Sequence, residues 1–244
     1  MLAGGASPTV DQLARAAGVS RASFYRVFQS REELLRALDV TPEPDASERI
    51  LAAALDQVGA QGLAALSMDG LAVRAGVSRA TLYRLFPGKA AVFSALVYRY
   101  SPLERVIAMI GAAGRQPPEV LMPEIARTVF RVVYAEGADR TGLLRAFFYE
   151  VTRLAPESED AAREAVGGVV GALTLYMTTQ MAEGRLRPMH PLLALQSFVG
   201  PIFFHLMTRR AAERVLGVDL DGEQAVTELA ETWVRAMRPE EAKP

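Results

Sequence analysis

Apolar positions recur along most of this chain with a period near 3.6. In residues 47–60, Ile50, Leu51, Ala54, Leu55 and Val58 fall on one side of a helix, with Ser47 as its expected cap. Across residues 69–89, Leu71, Val77, Leu82 and Phe86 form a second apolar side, and Leu82 and Phe86 stand at i, i+4. Val92, Phe93, Leu96 and Val97 continue the pattern to residue 100. Ser101 and Pro102 then read as cap and first residue of a helix reaching about residue 113. Further helices are expected over about residues 118–136, 141–154, 157–183, 190–215 and 222–237, with Pro201 a candidate bend. No segment sustains a period of two, so the predicted fold class is all-α.

Residues 69–89, DGLAVRAGVSRATLYRLFPGK, read as two short helices joined by a tight turn. Gly76 sits at the reversal, where a positive φ is cheap only for glycine. Ser78 offers its hydroxyl to the amides that open the next helix. With Leu82 and Phe86 inward, Arg79, Ala80, Tyr83 and Arg84 fall on the outer face. Arginine can fork to guanine in a major groove, while threonine and tyrosine hydroxyls bond phosphates. The pattern is that of a helix-turn-helix.

The same pattern occurs twice. At an offset of 58, residues 9–38 align without a gap to residues 67–96, and 14 of 30 positions are identical. The identities include Ala17 to Ala22 against Ala75 to Ala80, Tyr25 and Arg26 against Tyr83 and Arg84, and Phe28 against Phe86. Thr9 with Gln12 and Ser30 with Glu33 make capping boxes in the first copy. Pro42 and Pro44 then forbid helix, leaving a stiff linker at 41–46 that spans about 20 Å at full stretch. The expected organisation is a partial helix-turn-helix at 1–40, the linker, a complete DNA-binding domain at 47–100, and a helical domain at 101–244. Only the second copy has a preceding helix to close its core. The first has a short tail there, residues 1–7, and is expected to lean on the rest of the molecule.

A formal net charge of −1 at first argues against a nucleic-acid partner. The distribution answers it: between residues 67 and 100, Arg74, Arg79, Arg84, Lys89 and Arg99 face Asp69 alone. The absence of cysteine excludes disulfides and thiolate chemistry and fits a reducing cytosol. Residues 1–7 lack the charged start and apolar core of a leader. Two uncharged runs, 165–182 and 188–208, are broken by polar residues, glycines or prolines and read as buried helices rather than membrane spans. His190 and His205 have no companion at metal-ligand spacing, so neither a metal nor a cofactor is assigned. No stretch offers a converging catalytic set, and an enzyme is not expected.

The second unit resembles the DNA-binding domain of the TetR (tetracycline repressor) family of bacterial transcription regulators. The resemblance runs from the stretch ILAAA at 50–54 through residues 66–96, and AGVSRATLYRLFPGKAAVFSAL is its most specific part. AEGRLRP at 182–188 also resembles the family, while the rest of the C-terminal region does so only by helical plan. The resemblance implies that Arg79, Ala80, Thr81 and Arg84 face bases or phosphates and that Tyr83 and Lys89 hold phosphates. The matching positions of the first copy are Arg21, Ala22, Ser23, Tyr25, Arg26 and Arg31. A usual member has one such domain, so whether the first copy extends the DNA footprint or braces the second stays open.

The resemblance further implies a cytoplasmic homodimer, paired through the last two long helices, on a palindromic operator. A small-molecule effector in the C-terminal body would then release DNA, and repression is expected because most of the family represses. Phe130, Tyr134, Phe147, Phe148, Tyr176, Met177 and Met181 are the candidate lining of that chamber, with plain core packing as the alternative for each. The rival function is a helical interaction adaptor in which one or both helix-turn-helix units no longer bind DNA.

Overall fold

The computed structural model describes residues 9–28, 44–114, 116–134, 139–153 and 156–239, together with Ser30, Glu33, Leu34 and Ala37. Among them the chain forms twelve α-helices and no strand, so the fold is all-α as the periodicity predicts. Two compact units are present, Met1–Arg49 and Ile50–Pro244.

In the first unit, α1 (Val10–Ala16) and α2 (Arg21–Val27) form the helix-turn-helix. Thr9 and Gln12 make the expected reciprocal box: the Gln12 N–H donates to Thr9 Oγ1 at 3.3 Å and the Thr9 N–H to Gln12 Oε1 at 2.8 Å. Gly18 takes φ +67° at the turn, and Ser20 Oγ accepts the Ser23 N–H at 3.1 Å. Ala14 and Phe24 are buried. Ser30 Oγ accepts from the Glu33 N–H at 3.2 Å. The tail, Arg31, most of the expected third helix and linker residues 41–43 lie outside the described residues.

The unit boundary falls within α3 (Ala46–Gln61). This helix starts one residue before the expected Ser47 cap, and the correction has a plain cause. Asp45 and Glu48 form their own box, with the Glu48 N–H donating to Asp45 Oδ1 at 2.8 Å and the Asp45 N–H to Glu48 Oε2 at 3.3 Å. In α4 (Met68–Arg74), α5 (Arg79–Leu85) and α6 (Lys89–Tyr100) the observed bounds follow the pattern closely. Ile50, Ala54 and Val58 of α3, Leu71 of α4, Leu82 of α5 and Val92, Phe93 and Leu96 of α6 close one core.

Five helices follow α7 (Leu103–Ala113): α8 (Pro118–Val133), α9 (Thr141–Arg153), α10 (Pro156–Ala182), α11 (Pro191–Leu216) and α12 (Gly222–Ala236). Leu103 opens α7 instead of Pro102, which occupies the cap position while Ser101 Oγ accepts the Leu103 N–H at 3.4 Å. Helix α8 stops at Val133, and the expected ends at Glu136 and Leu154 lie outside the described residues. Helix α11 runs unbroken through Pro201. A second core joins Met122 and Ile125 of α8, Leu173 and Met177 of α10, Phe198 and Leu206 of α11, and Val226 and Trp233 of α12. Trp233 Nε1 donates to Ser197 Oγ at 2.9 Å, and Arg131 Nε on α8 donates to Glu223 Oε2 on α12 at 3.0 Å. Burial holds the His205 imidazole of α11 below its ordinary pKa.

Helix α9 belongs to both cores. Leu143 and Ala146 are buried with the α3–α6 residues, while Leu144 packs against the second core. Its start presses on α3, where a Cβ added to Gly142 would lie 2.3 Å from the Gly59 carbonyl oxygen. That contact is backbone on backbone, so only glycine fits. Gly142→Ala is expected to lower stability by about 1–3 kcal/mol, read by thermal melting. Gly111→Ala on α7, where an added Cβ meets nothing within 4 Å, is the matched control and should not destabilise.

Candidate nucleic-acid interface and helical chamber

The reading head of the second unit is built from short-range rules. Ser67 Oγ accepts the Gly70 N–H at 3.2 Å, and Ser78 Oγ accepts the Thr81 N–H at 3.0 Å, so each short helix starts at a fixed residue. Gly76 turns the chain between them with φ +63°. Leu82 is 0% and Phe86 8% exposed, and their burial fixes the rotation of α5. Arg79, Ala80, Tyr83 and Arg84 are consequently exposed, with Tyr83 48% accessible. Thr81 is half-buried and its Oγ1 lies 2.9 Å from Ser78 Oγ, tying it to the start of the helix.

Arg79 and Lys89 are each tied to another segment of this unit. Arg79 Nε lies 2.9 Å from Asp69 Oδ1 on α4, which holds the guanidinium over the outer face. Both groups are well exposed, and such surface pairs contribute only about 0–1 kcal/mol, so a phosphate or guanine can displace the carboxylate. Lys89 Nζ donates to the Ala64 carbonyl at 3.2 Å and spans from the start of α6 to the loop before α4. Arg74 and Arg99 are exposed as well.

Beyond this head lies an apolar chamber of about 480 Å³. Its walls come from α7 to α11 and include Val106, Ile125, Val129, Leu173, Leu195 and Ile202. Gln196 is the one polar side chain among the lining residues. Phe148, Gln196, Val199 and Gly200 combine a place on the wall with solvent exposure, so the open side runs between α9 and α11. There Phe148 and Phe203 stack at 4.7 Å.

Of the aromatic and methionine residues singled out in the sequence, Phe147 and Phe148 stand on this wall. The other five lie elsewhere. Tyr134 packs against Phe130 at 4.9 Å, donates its hydroxyl to the Leu206 carbonyl at 2.9 Å and sits beneath Arg209 and Arg210. Tyr176 donates to the Gln116 carbonyl at 2.8 Å, and burial raises its phenol pKa. Met177 is wholly buried in the second core, with Met181 packed against it. His190 caps α11, its Nδ1 accepting the Leu192 N–H at 3.3 Å. Sequence reasoning missed the branched aliphatic wall because valine and leucine spaced for a chamber look the same as valine and leucine spaced for a core.

An exposed arginine–tyrosine face on the second helix of a helix-turn-helix is the geometry of a DNA-binding regulator. Residues 3–38 and 50–96 both match the family of bacterial regulatory proteins, tetR family. The fold is similar to that of FadR from Bacillus subtilis, solved with stearoyl-CoA, at 17% identity and TM-score 0.58 over 78% of this chain and 98% of that one. It is also similar to the fatty acid degradation regulator FadR from Bacillus halodurans, at 17% identity and TM-score 0.56 over 80% of this chain and 97% of that one. A tetR-family regulatory protein from Rhodococcus RHA1 matches at 17% identity and TM-score 0.59, over 81% of this chain and 100% of that one. No curated protein matches. Both helix-turn-helix segments of the chain thus match the TetR-family model, and the proteins of similar fold include TetR-family regulators.

Arg79→Ala and Arg84→Ala are each expected to weaken specific DNA binding by about 1–3 kcal/mol if the side chain forks to a base. Lys89→Ala should weaken binding evenly across sequences and reduce the salt slope by about one. Fluorescence anisotropy over a range of salt concentrations measures both.

Proposed function

We propose that this protein is a cytoplasmic, ligand-responsive repressor that binds a palindromic operator as a homodimer. The observation that carries the reading is the double membership of α9. Leu143 and Ala146 sit in the core beneath the reading head, and Leu144, Phe147 and Phe148 line the chamber. A molecule that fills the chamber bears on the same helix that packs against the DNA-binding core. It shifts DNA affinity to the extent that it binds the two α9 positions unequally.

The chamber chemistry selects the effector. Walls without charge favour a long aliphatic chain, and Gln196 at the open side can receive a polar head. An acyl chain suits both features, and the fold-related Bacillus subtilis FadR was solved with stearoyl-CoA. Stearoyl-CoA is expected to lower operator affinity at least about tenfold, within the usual range of allosteric coupling. Val129→Trp, which fills the chamber, should remove that response. A full response in the filled variant would place the effector elsewhere.

Pairing through α11 and α12 has its apolar support on α11. Leu192, Leu193, Val199, Phe204, Val215 and Leu216 are exposed there, Phe204 at 68%. By length and composition α11 could cross a membrane. Ala194, Leu195, Phe198, Ile202 and Leu206 nevertheless point into the core of the body, and an unpaired outer stripe of this kind fits a subunit contact. Paired subunits would set two reading heads about 34–36 Å apart, one turn of duplex. Phe204→Glu is expected to convert dimer to monomer in sedimentation velocity and to abolish tight operator binding. The adaptor reading predicts no salt-dependent DNA binding at all.

A further inference from the structure

We propose that the first helix-turn-helix unit is a second DNA-reading head with the same base preference as the first-described one, so that each operator arm carries one short motif twice. This rests on the reading of α5 as the operator helix, and the two are separable by experiment.

The second helices of the two units share one outer face. Arg21, Ala22, Tyr25 and Arg26 on α2 are identical to Arg79, Ala80, Tyr83 and Arg84 on α5, and all eight are exposed. Tyr25 is 45% accessible, against 48% for Tyr83. Ser23 stands where Thr81 stands, half-buried in the same way, its Oγ 3.0 Å from Ser20 Oγ as Thr81 Oγ1 is 2.9 Å from Ser78 Oγ. Even the carboxylate beside the first arginine is repeated: Arg21 Nη1 lies 3.5 Å from Asp11 Oδ1, and Arg79 Nε lies 2.9 Å from Asp69 Oδ1. Inside, the same residues recur but are less covered in the first copy. Leu71, Ala75 and Phe86 are buried, whereas Leu13 and Phe28 are half-buried and Ala17 is exposed.

A copy kept only to brace its neighbour would hold its apolar residues and be free to lose surface arginines. This unit has kept both: Leu13, Ala14, Ala17 and Phe28 match Leu71, Ala72, Ala75 and Phe86, and its outward arginines and tyrosine match side chain for side chain. Protein docking does not require that match, because a docking face would fit its partner rather than duplicate a DNA-reading face. Specificity in the major groove is set by the few side chains that reach base edges, so identical side chains in identical helical register read the same bases.

The test is a double-mutant cycle on the full-length protein between R21A/Y25A/R26A and operators lacking the outer motif. Selection from random duplexes by the unaltered chain should return one motif twice in each arm, four copies per dimer. Deleting the outer copies should cost the unaltered protein roughly ten- to a hundredfold in affinity and cost the triple variant nothing. The salt slope should become shallower by about 0.9 for every phosphate that the variant no longer neutralises. R21K/R26K, which keeps the charge, should retain the slope and lose the preference for the outer motif.

One motif per arm, or equal affinity of variant and unaltered chain on the full operator, would overturn the proposal while leaving α5 as the reading helix. A protein partner lost by the triple variant with its DNA footprint unchanged would also overturn it. If R79A/Y83A/R84A leaves DNA binding intact, the operator assignment of α5 itself fails, and the two failures are thereby told apart.

Discussion

The burial of Leu82 and Phe86 against the side chains of α3, α4 and α6 governs the functional end of this molecule. A seven-residue helix has too few internal hydrogen bonds to persist alone. Helix α5 exists because its two apolar residues enter a core that Ile50, Ala54, Val58, Phe93 and Leu96 close from the other sides. Once those two are inside, the i, i+4 geometry leaves Arg79 and Tyr83 no inward position. The outward arginine–tyrosine face therefore follows from an apolar constraint, and the arginines contribute little to the fold that displays them.

The same core meets the chamber wall at its other end. Helix α9 contributes Leu143 and Ala146 to it and lends Leu144, Phe147 and Phe148 to the chamber wall. Close-packed interiors move as discrete arrangements rather than yielding smoothly, so any shift of α9 would reach the core beneath α5. The contact of Gly59 with Gly142 is backbone against backbone and leaves no flexible side chain to absorb a movement there. Arg140, at the entrance to α9, adds a polar tie: Nη1 donates to the Val132 carbonyl at 3.0 Å and the guanidinium lies over the Tyr100 ring of α6.

Helix starts were the part of the fold best read in advance where the cap was unambiguous. Ser67, Ser78 and Thr9 cap the helices expected of them because each side chain bonds an amide two or three residues away. The start of α3 moved to the Asp45 and Glu48 box, since two acceptors compete within three residues and spacing alone does not rank them. Phe147 and Phe148 fall on the chamber while Tyr134 and Tyr176 turn to carbonyls of other segments, a choice that depends on where those segments pass.

What the amino-acid order determined by itself is everything set within about one helical turn: the period of the helices, their caps, the two turn glycines, and the duplicated face of arginine and tyrosine. These are local because hydrogen bonds and side-chain register in a helix reach only three or four residues. The tertiary structure alone decided where space remains unfilled and which helix borders two cores. A cavity is a difference between the volume that five helices enclose and the volume that their side chains occupy, and no stretch of the sequence contains that difference.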